Sequence, residues 1–312
     1  MLNRKDLLGT FDLSKEEILS IIELAEQYSF DNKNNVSNSK VLSNITQINL
    51  FFENSTRTQV SFEIAGTKLG ANVVNFPLKN SSQSKGETLL DLASTLNSMF
   101  PDILVIRHPN SGAAQLISEK VNCSVINAGD GNHEHPTQAI LDMMSIQEKF
   151  GKIKGLNIAI IGDIYHSRVA RSNIYGLVTM GANVTVCGPP NLIPQEISEL
   201  GVNINYNIDE VVEWADAVNV LRIQRERMGV GLIPSNREYR KLFGITNERM
   251  IRRKKELVIM HPGPMNRGVE IDSEVADSDQ AIILDQVLNG VASRMSILYL
   301  LLGAKDGEKN ED

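Results

Sequence analysis

The stretch FFENSTRT ends in four residues whose side chains suit an oxyanion: Ser55, Thr56, Arg57 and Thr58. A β-rich run ends just before them and a helical pattern follows, so they lie where a helix begins. The first N–H groups of a helix lack intrahelical partners and carry the positive end of its dipole. Hydroxyls and a guanidinium there add charge-assisted hydrogen bonds to a phosphate. N-capping is the simpler interpretation, but a cap uses one hydroxyl, so we predict a phosphate site.

A second polar group opens the helical pattern of HEHPTQAILDMM, where His135 and Gln138 lie on one helical face. Their neutral donors suit a polarised carbonyl and an amide nitrogen. His133 and His135 could instead form a metal pair. The chain has 5 histidines, however, and no H-E-x-x-H motif or cysteine cluster supplies a third ligand. The sequence therefore predicts no metal site.

Two further polar groups follow strand-like runs. Arg107 ends the run DILVIRHP, and His261, Gly263 and Pro264 end the run LVIMHPGP. Ligand sites of α/β proteins gather at the carboxyl ends of strands. A tight turn such as Gly263–Pro264 leaves carbonyl oxygens available to accept from an –NH2 group.

The elements that must position these residues alternate between strand-like and helical patterns. One series holds ITQINLFFE, NVVNFP, DILVIRHP and SVINAG, and a second runs from LNIAIIGD through NVTVCGP, NINYN and AVNVLRI to LVIMHPGP. Such alternation predicts an α/β fold with two doubly wound domains, each a mainly parallel sheet flanked by helices. The stretch EKFGKIKGLN marks the predicted boundary. We predict domains at 1–150 and 151–284, with a C-terminal helix at 285–303 that packs back on the first.

Composition limits the function classes. The 312 residues are 42% hydrophobic and 22% charged, which is typical of a globular protein of about two domains. A net charge of −7 and 5% aromatic residues argue against nucleic acid, so anions must be attracted by local clusters of Arg and Lys. The sequence has neither a membrane-length apolar run nor a signal-peptide pattern. Cys123 and Cys187 lie in apolar runs and predict reduced thiols of a cytoplasmic protein.

Taken together, STRT, an arginine after a strand, HPTQ and HPGPMNRG resemble the aspartate/ornithine carbamoyltransferase family, and the resemblance runs essentially from end to end. It implies transfer of the carbamoyl group of carbamoyl phosphate to L-aspartate, an early step of de novo pyrimidine biosynthesis, without a cofactor. By the resemblance, carbamoyl phosphate is held by Ser55, Thr56, Arg57, Thr58, Arg107, His135, Gln138, Gly263 and Pro264. The residues expected to take part in catalysis are Arg57, Thr58, Arg107, His135 and Lys85.

The amino-acid substrate is indicated by residues of the second predicted domain. Aspartate has two carboxylates, and each needs a binding residue. The planar guanidinium of arginine, which can form two hydrogen bonds at once, suits a carboxylate better than lysine does. Arg168 in GDIYHSRVARSN, and Arg222 with Gln224 in VLRIQRER, resemble the family's aspartate-binding residues. Ornithine enzymes have H-C-L-P in the late motif, where this chain has HPGP. The difference favours aspartate.

The stretch KNSSQSKGETLLDL resembles the loop that, in the family, enters the active site of a neighbouring subunit. Ser81 and Lys85 match its Ser and Lys, which implies aspartate binding by these residues and a homotrimer with shared active sites. Without the family, a Ser- and Lys-rich stretch is typical of a solvated loop. Gln59 and Ser84 depart from residues common in relatives, without removing a matched ligand-binding residue. Whether regulatory chains bind stays open.

Three other interpretations compete with this one. A nicotinamide-dependent oxidoreductase is suggested by IAIIGDIYHSRVARS, which lacks G-x-G-x-x-G and has only Gly162 before its helix. A non-catalytic anion-binding protein would not explain arginines in both predicted domains. A carbamoyltransferase for another amino acid is the nearest competitor.

The basic run RMIRRKKE, 249–256, is typical of a solvated helix face.

Overall fold

The structure is a computed structural model that describes residues 2–38, 40–76, 88–224, 235–253 and 255–303. The chain divides into two compact units: Met1–Met144 with Leu288–Asp312, and Ser145–Val287. None of the described helices combines the length and apolar character needed to cross a membrane.

The first unit is a parallel sheet with the strand order β2-β1-β3-β4. Its strands are β1 Thr46–Phe51, β2 Asn72–Asn75, β3 Ile103–His108 and β4 Ser124–Asp130. Its helices are α1 Lys15–Lys33, α2 Thr56–Leu69, α3 Leu89–Asn97, α4 Ala113–Ser118, most of α5 Pro136–Phe150 and most of the last helix, α11 Ile283–Leu302.

Apolar runs build the core of the first unit. Leu50, Leu104 and Ile106 on the two central strands are fully buried in one hydrophobic cluster with Leu92 of α3. Every residue of β4 is buried, as expected of a parallel strand that is covered on both faces. Gly70, with φ +88°, ends α2 in the left-handed conformation that favours glycine.

The second unit is also a parallel sheet, with the order β7-β6-β5-β8-β9. Its strands are β5 Asn157–Ile161, β6 Asn183–Cys187, β7 Asn203–Ile204, β8 Ala217–Val220 and β9 Val258–Met260. Its helices are α6 Arg168–Thr179, α7 Ile208–Trp214, α8 Asn236–Phe243, α9 Asn247–Arg252 and α10 Ser273–Ala276, with 3₁₀ turns at Pro190–Leu192 and Gln195–Leu200. The predicted α/β class with two parallel, helix-flanked sheets is confirmed.

Two side chains of α11 contact α1, the N-terminal helix of the first unit. Ser296 Oγ donates to the Ile21 carbonyl oxygen at 2.8 Å, and Asn32 Nδ2 lies 3.4 Å from Met295 Sδ. Both cysteines are buried and free, as predicted, and burial raises the pKa of the Cys187 thiol to about 12.

The prediction of a solvated helix face at 249–256 is wrong for two arginines. Arg249 is largely buried and donates to the carbonyl oxygens of Lys241 at 2.7 Å and Gly244 at 2.6 Å, which end α8. Arg253 donates to the Val212 carbonyl oxygen at 2.8 Å and also to that of Ala215. A helix leaves its last carbonyls without intrahelical donors, and these guanidinium groups supply them.

Candidate active site

The four residues STRT lie at the junction of β1 and α2. Ser55 is the N-cap residue of α2, but its side chain makes no capping hydrogen bond. The alternative in which its hydroxyl caps the helix is therefore wrong. Thr56 and Arg57 are exposed and Thr58 is buried. The turn thus presents a guanidinium and hydroxyls beside the first N–H groups of a helix that has no acidic residue in its first turn, which suits an anion.

Arg107 ends β3 next to this turn. Its Nε lies 3.3 Å from Glu53 Oε2, and its Nη1 donates to the Ala128 carbonyl oxygen at 3.3 Å. Glu53 follows β1 and Ala128 belongs to β4, so the guanidinium is oriented from both neighbouring strands. The sequence analysis missed Glu53, although it lies in the same FFENSTRT motif.

The first unit has its topological switch point, where the strand order reverses, between β1 and β3. The chain passes from β1 outward to β2 and then returns to the other side of β1 as β3. Ligands of open α/β sheets bind beyond the carboxyl ends of the strands at such a point. STRT follows β1, and Arg107 ends β3, so the two predicted anion-binding groups flank this switch point.

The loop from β4 to α5 is held by two buried carboxylates. Asp130 accepts from the Gly112 backbone N–H at 2.6 Å and from Asn127 Nδ2 at 2.7 Å. Glu134 accepts from Thr10, from the backbone N–H at 2.7 Å and the hydroxyl at 2.8 Å. These bonds fix the segment on which His135 lies.

His135 and Gln138 lie at the start of α5, as the pattern predicted. His135 is buried directly before the helix, and Gln138, also buried, donates from Nε2 to Asp142 Oδ1 at 2.9 Å. Sequence analysis missed Asp142, whose signal was its spacing four residues after Gln138 on one helical face.

His133 does not support the alternative of a metal pair. Its Nδ1 lies 3.1 Å from Asp130 Oδ2. Across the described ranges, no group of three or more His, Cys, Asp and Glu side chains is arranged to hold a metal ion.

In the second unit, Arg168 and Arg222 flank the corresponding switch point. The strand order places β8 beside β5, on the side opposite β6. Arg168 begins α6 after β5 and is buried, whereas Arg222 and Gln224 follow β8 and are partly buried. The backbone N–H of Leu221 donates to Ile161 O at 2.8 Å, which extends the pairing of the two strands to the point where Arg222 leaves the sheet.

The turn at Gly263–Pro264 follows β9 and is held by His261. The His261 Nδ1 accepts from the Gly263 N–H at 2.8 Å, so the proton of the neutral ring lies on Nε2. That nitrogen is 3.3 Å from Glu270 Oε1, which also accepts from the Asn266 N–H at 2.5 Å. Gly263 has φ +62° and the Gly263–Pro264 peptide is cis. Sequence analysis missed Glu270, which no local motif marks.

Ser81 and Lys85, which were predicted to bind aspartate, lie outside the described residues. Their assignment stays a prediction, as do the individual ligand contacts of the other site residues.

Comparison with known proteins shows which family the chain resembles. Residues 5–148 match the model of the aspartate/ornithine carbamoyltransferase carbamoyl-P binding domain, and residues 154–301 match that of the Asp/Orn binding domain. The aspartate carbamoyltransferase catalytic subunit of Gemmatimonas aurantiaca is 52% identical over 96% of this chain and 94% of its own length.

Solved structures show the same fold. Aspartate transcarbamoylase from Trypanosoma cruzi, in complex with N-(phosphonacetyl)-L-aspartic acid, has a TM-score of 0.87 and 33% identity, covering 96% of each chain. Ornithine carbamoyltransferase from Pyrococcus furiosus has a TM-score of 0.85 and 27% identity, covering 96% of this chain and 97% of its own. With two family models that together match nearly its whole length, this chain belongs to the aspartate/ornithine carbamoyltransferase family.

Proposed function

We propose that this chain transfers the carbamoyl group of carbamoyl phosphate to the amino group of L-aspartate, giving N-carbamoyl-L-aspartate and phosphate. The observation that carries the proposal is the placement of arginines at both switch points: Arg57 and Arg107 in the first unit, Arg168 and Arg222 in the second. Two sheets that each present paired cations at a ligand-binding edge suit two anionic substrates. Close relatives named for this activity add support.

Carbamoyl phosphate is the proposed ligand of the first unit. Ser55, Thr56 and Arg57 bind its phosphate at the start of α2. Thr58, Arg107 and His135 donate to its carbonyl oxygen, which gains negative charge during the attack. The carbamoyl NH2 is held by Gln138 and by the carbonyl oxygens of the Gly263–Pro264 turn.

Aspartate is the proposed ligand of the second unit, where Arg168, Arg222 and Gln224 bind its carboxylates. Arginine forks match carboxylate geometry and would repel the cationic side chain of ornithine. The HPGP turn, in place of H-C-L-P, supports the same choice. Ser81 and Lys85 complete the proposed set.

The proposed mechanism is a direct attack of the aspartate amine on the carbamoyl carbon. The new C–N bond forms while the C–O bond to phosphate breaks, and the departing phosphate takes the proton of the amine. A phosphate with a second pKa near 6 can accept that proton. The enzyme contributes positioning, which is worth large effective molarities, and charge stabilisation, in which Glu53 holds the Arg107 guanidinium in place. The two substrates supply the nucleophile, the carbamoyl group and the proton acceptor, so the transfer needs no cofactor.

A turnover assay with three acceptors tests this function. The purified chain and carbamoyl phosphate are supplied in parallel with aspartate, ornithine or N-acetylornithine, and the carbamoylated products are measured. We expect product with aspartate at least a hundredfold faster than with the other two. Faster turnover of ornithine or N-acetylornithine would refute the assignment of the acceptor, and no product from any of them would refute the function.

We also propose a cytoplasmic homotrimer with shared active sites, in which Ser81 and Lys85 serve the neighbouring subunit. Two buried free thiols support the location, and cyclic symmetry lets each subunit give a loop to one neighbour and receive one from the other. Mixing inactive Lys85→Ala and His135→Ala proteins, after dissociation and reassociation, should restore partial activity. Mixed trimers that stay inactive would contradict shared sites.

A further inference from the structure

Arg294 of α11 is a buried arginine that the proposed mechanism does not use. It is 3% exposed. Its Nη1 donates to the Gly290 carbonyl oxygen at 2.7 Å, and its Nη2 donates to Thr137 Oγ1 at 3.5 Å. Burial lowers the pKa of Arg294 to about 10, against the attraction of Asp142, which raises it. The side chain is therefore still charged at neutral pH.

A charge in this position is costly. Removing an ion from water is unfavourable, and an apolar side chain of similar volume is often as good for stability. The guanidinium carbon lies 5.0 Å from the centre of the Phe62 ring, and this cation–π contact offsets part of the cost. The charge therefore calls for a role beyond filling space.

Apart from Gly290 of its own helix, the groups that interact with Arg294 lie on the two helices that carry the proposed carbamoyl phosphate residues. Phe62 belongs to α2, which begins with the STRT residues. Thr137 and Asp142 belong to α5, on either side of Gln138. One guanidinium thus joins α11 to both site-bearing helices of the first unit.

Asp142 links this charge to the carboxamide of Gln138. An ionised carboxylate can only accept hydrogen bonds, so the amide nitrogen of Gln138 must face it, as the 2.9 Å bond from Nε2 to Oδ1 requires. The carbonyl oxygen Oε1 then lies on the opposite side of the carboxamide. The Arg294 guanidinium attracts this carboxylate and so helps to hold in place the acceptor that orients Gln138.

We propose that Arg294 is a positioning residue for carbamoyl phosphate. Through its hydrogen bond to Thr137 and its attraction for the Asp142 carboxylate, it holds the Gln138 carboxamide in the orientation whose Oε1 accepts from the carbamoyl NH2. The inference rests on the proposed function, which gives Gln138 that contact.

Two stable phosphonates isolate the contact. Phosphonoacetamide carries a –CO–NH2 group, and 2-oxopropylphosphonate carries –CO–CH3 in its place. The two ligands therefore differ only in the group that is proposed to donate to Gln138. Inorganic phosphate reports on the phosphate subsite alone. Calorimetric dissociation constants for the three ligands are measured with wild type, Arg294→Met, Arg294→Lys and Asp142→Asn.

We expect wild type to prefer the amide by about tenfold, the effect of one hydrogen bond. Arg294→Met and Asp142→Asn should each reduce the preference to less than about twofold, while affinity for inorganic phosphate changes by less than about twofold. Arg294→Lys keeps the charge and should retain most of the preference. Because both substitutions act on one chain of contacts, the double variant should lose no more than either single one.

Equal loss of all three ligands in Arg294→Met would mean that the residue only packs the core, and an unchanged amide preference would mean that it does not act through Gln138. Either result overturns the proposal. If Arg294→Met does not fold, Arg294→Gln, which also removes the charge, takes its place and decides in the same way. A wild type that turns over aspartate but shows no amide preference overturns the inference alone. A wild type without transferase activity overturns the proposed function.

Discussion

Asp130, at the end of β4, should make a large contribution to stability. It is 1% exposed and accepts from the backbone N–H groups of Gly112 at 2.6 Å and Glu134 at 3.2 Å. Asn127 Nδ2 donates to Asp130 Oδ1 at 2.7 Å, and His133 Nδ1 lies 3.1 Å from Asp130 Oδ2. In Asp130→Asn, one acceptor becomes an NH2 donor, so at least one buried N–H faces another donor.

The expected loss of stability follows from the hydrogen bonds that this substitution breaks. A stranded buried donor costs about 1–3 kcal/mol, and a hydrogen bond to a charged group is worth about 1.5–3 kcal/mol. We expect Asp130→Asn to lower the free energy of unfolding by about 3 kcal/mol. At about 2–4 °C per kcal/mol for a domain of this size, the melting temperature should fall by about 6–12 °C. Calorimetry at pH 7 measures the shift.

The pH dependence gives a second test. Burial by itself would raise the pKa of Asp130, but hydrogen bonds from His133, Asn127 and Gly112 outweigh it and hold that pKa below its usual value. The stabilisation is therefore fully present above the unfolded pKa of about 3.9 and is lost as the pH falls through the folded value. The difference between wild type and variant should persist down to about pH 5 and narrow below about pH 4.

The control for this experiment is Asp279→Asn, the same substitution at an exposed position. A surface change of this kind should stay within about 0.5 kcal/mol of wild type. If Asp130→Asn melted no lower than the control, the hydrogen bonds around Asp130 would not stabilise the fold, and the reasoning would fail.

Three further predictions concern arginines. Arg57→Ala should stay folded but turn over at least about a hundredfold more slowly, since one lost charge-stabilising donor costs about 3–4 kcal/mol in the transition state; near wild-type turnover in a steady-state assay would contradict the phosphate site. Arg222→Ala should raise KM for aspartate strongly and leave carbamoyl phosphate binding unchanged in calorimetry, because Arg222 follows β8 of the second unit; equal loss of both ligands would contradict that role. Arg249→Ala should lower the free energy of unfolding by about 2–3 kcal/mol, since its buried guanidinium satisfies the carbonyls that end α8. The exposed Arg252→Ala should change the free energy by less than about 0.5 kcal/mol in the same denaturant titration, and equal effects would show that the carbonyl contacts add nothing.

Sequence by itself determined the fold class and the local setting of the site. A strand-to-helix junction can be predicted from a short stretch of sequence, because the apolar run, the turn residues and the polar side chains of the junction follow one another along the chain. STRT at the start of α2, Arg107 at the end of β3 and the HPTQ residues at the start of α5 all follow from such windows.

Only the tertiary structure decided which junctions are neighbours and what holds their side chains. Strand order depends on packing between residues far apart in sequence, so no window could show that β3 returns beside β1 and places Arg107 beside Glu53. Arg294 and Thr137 are 157 positions apart and share a hydrogen bond. The same limit misled the sequence analysis at Arg249, where a charge run predicted solvation although the carbonyls of α8 bind the side chain. A sequence gives the charge of a residue, and only the fold gives its partners.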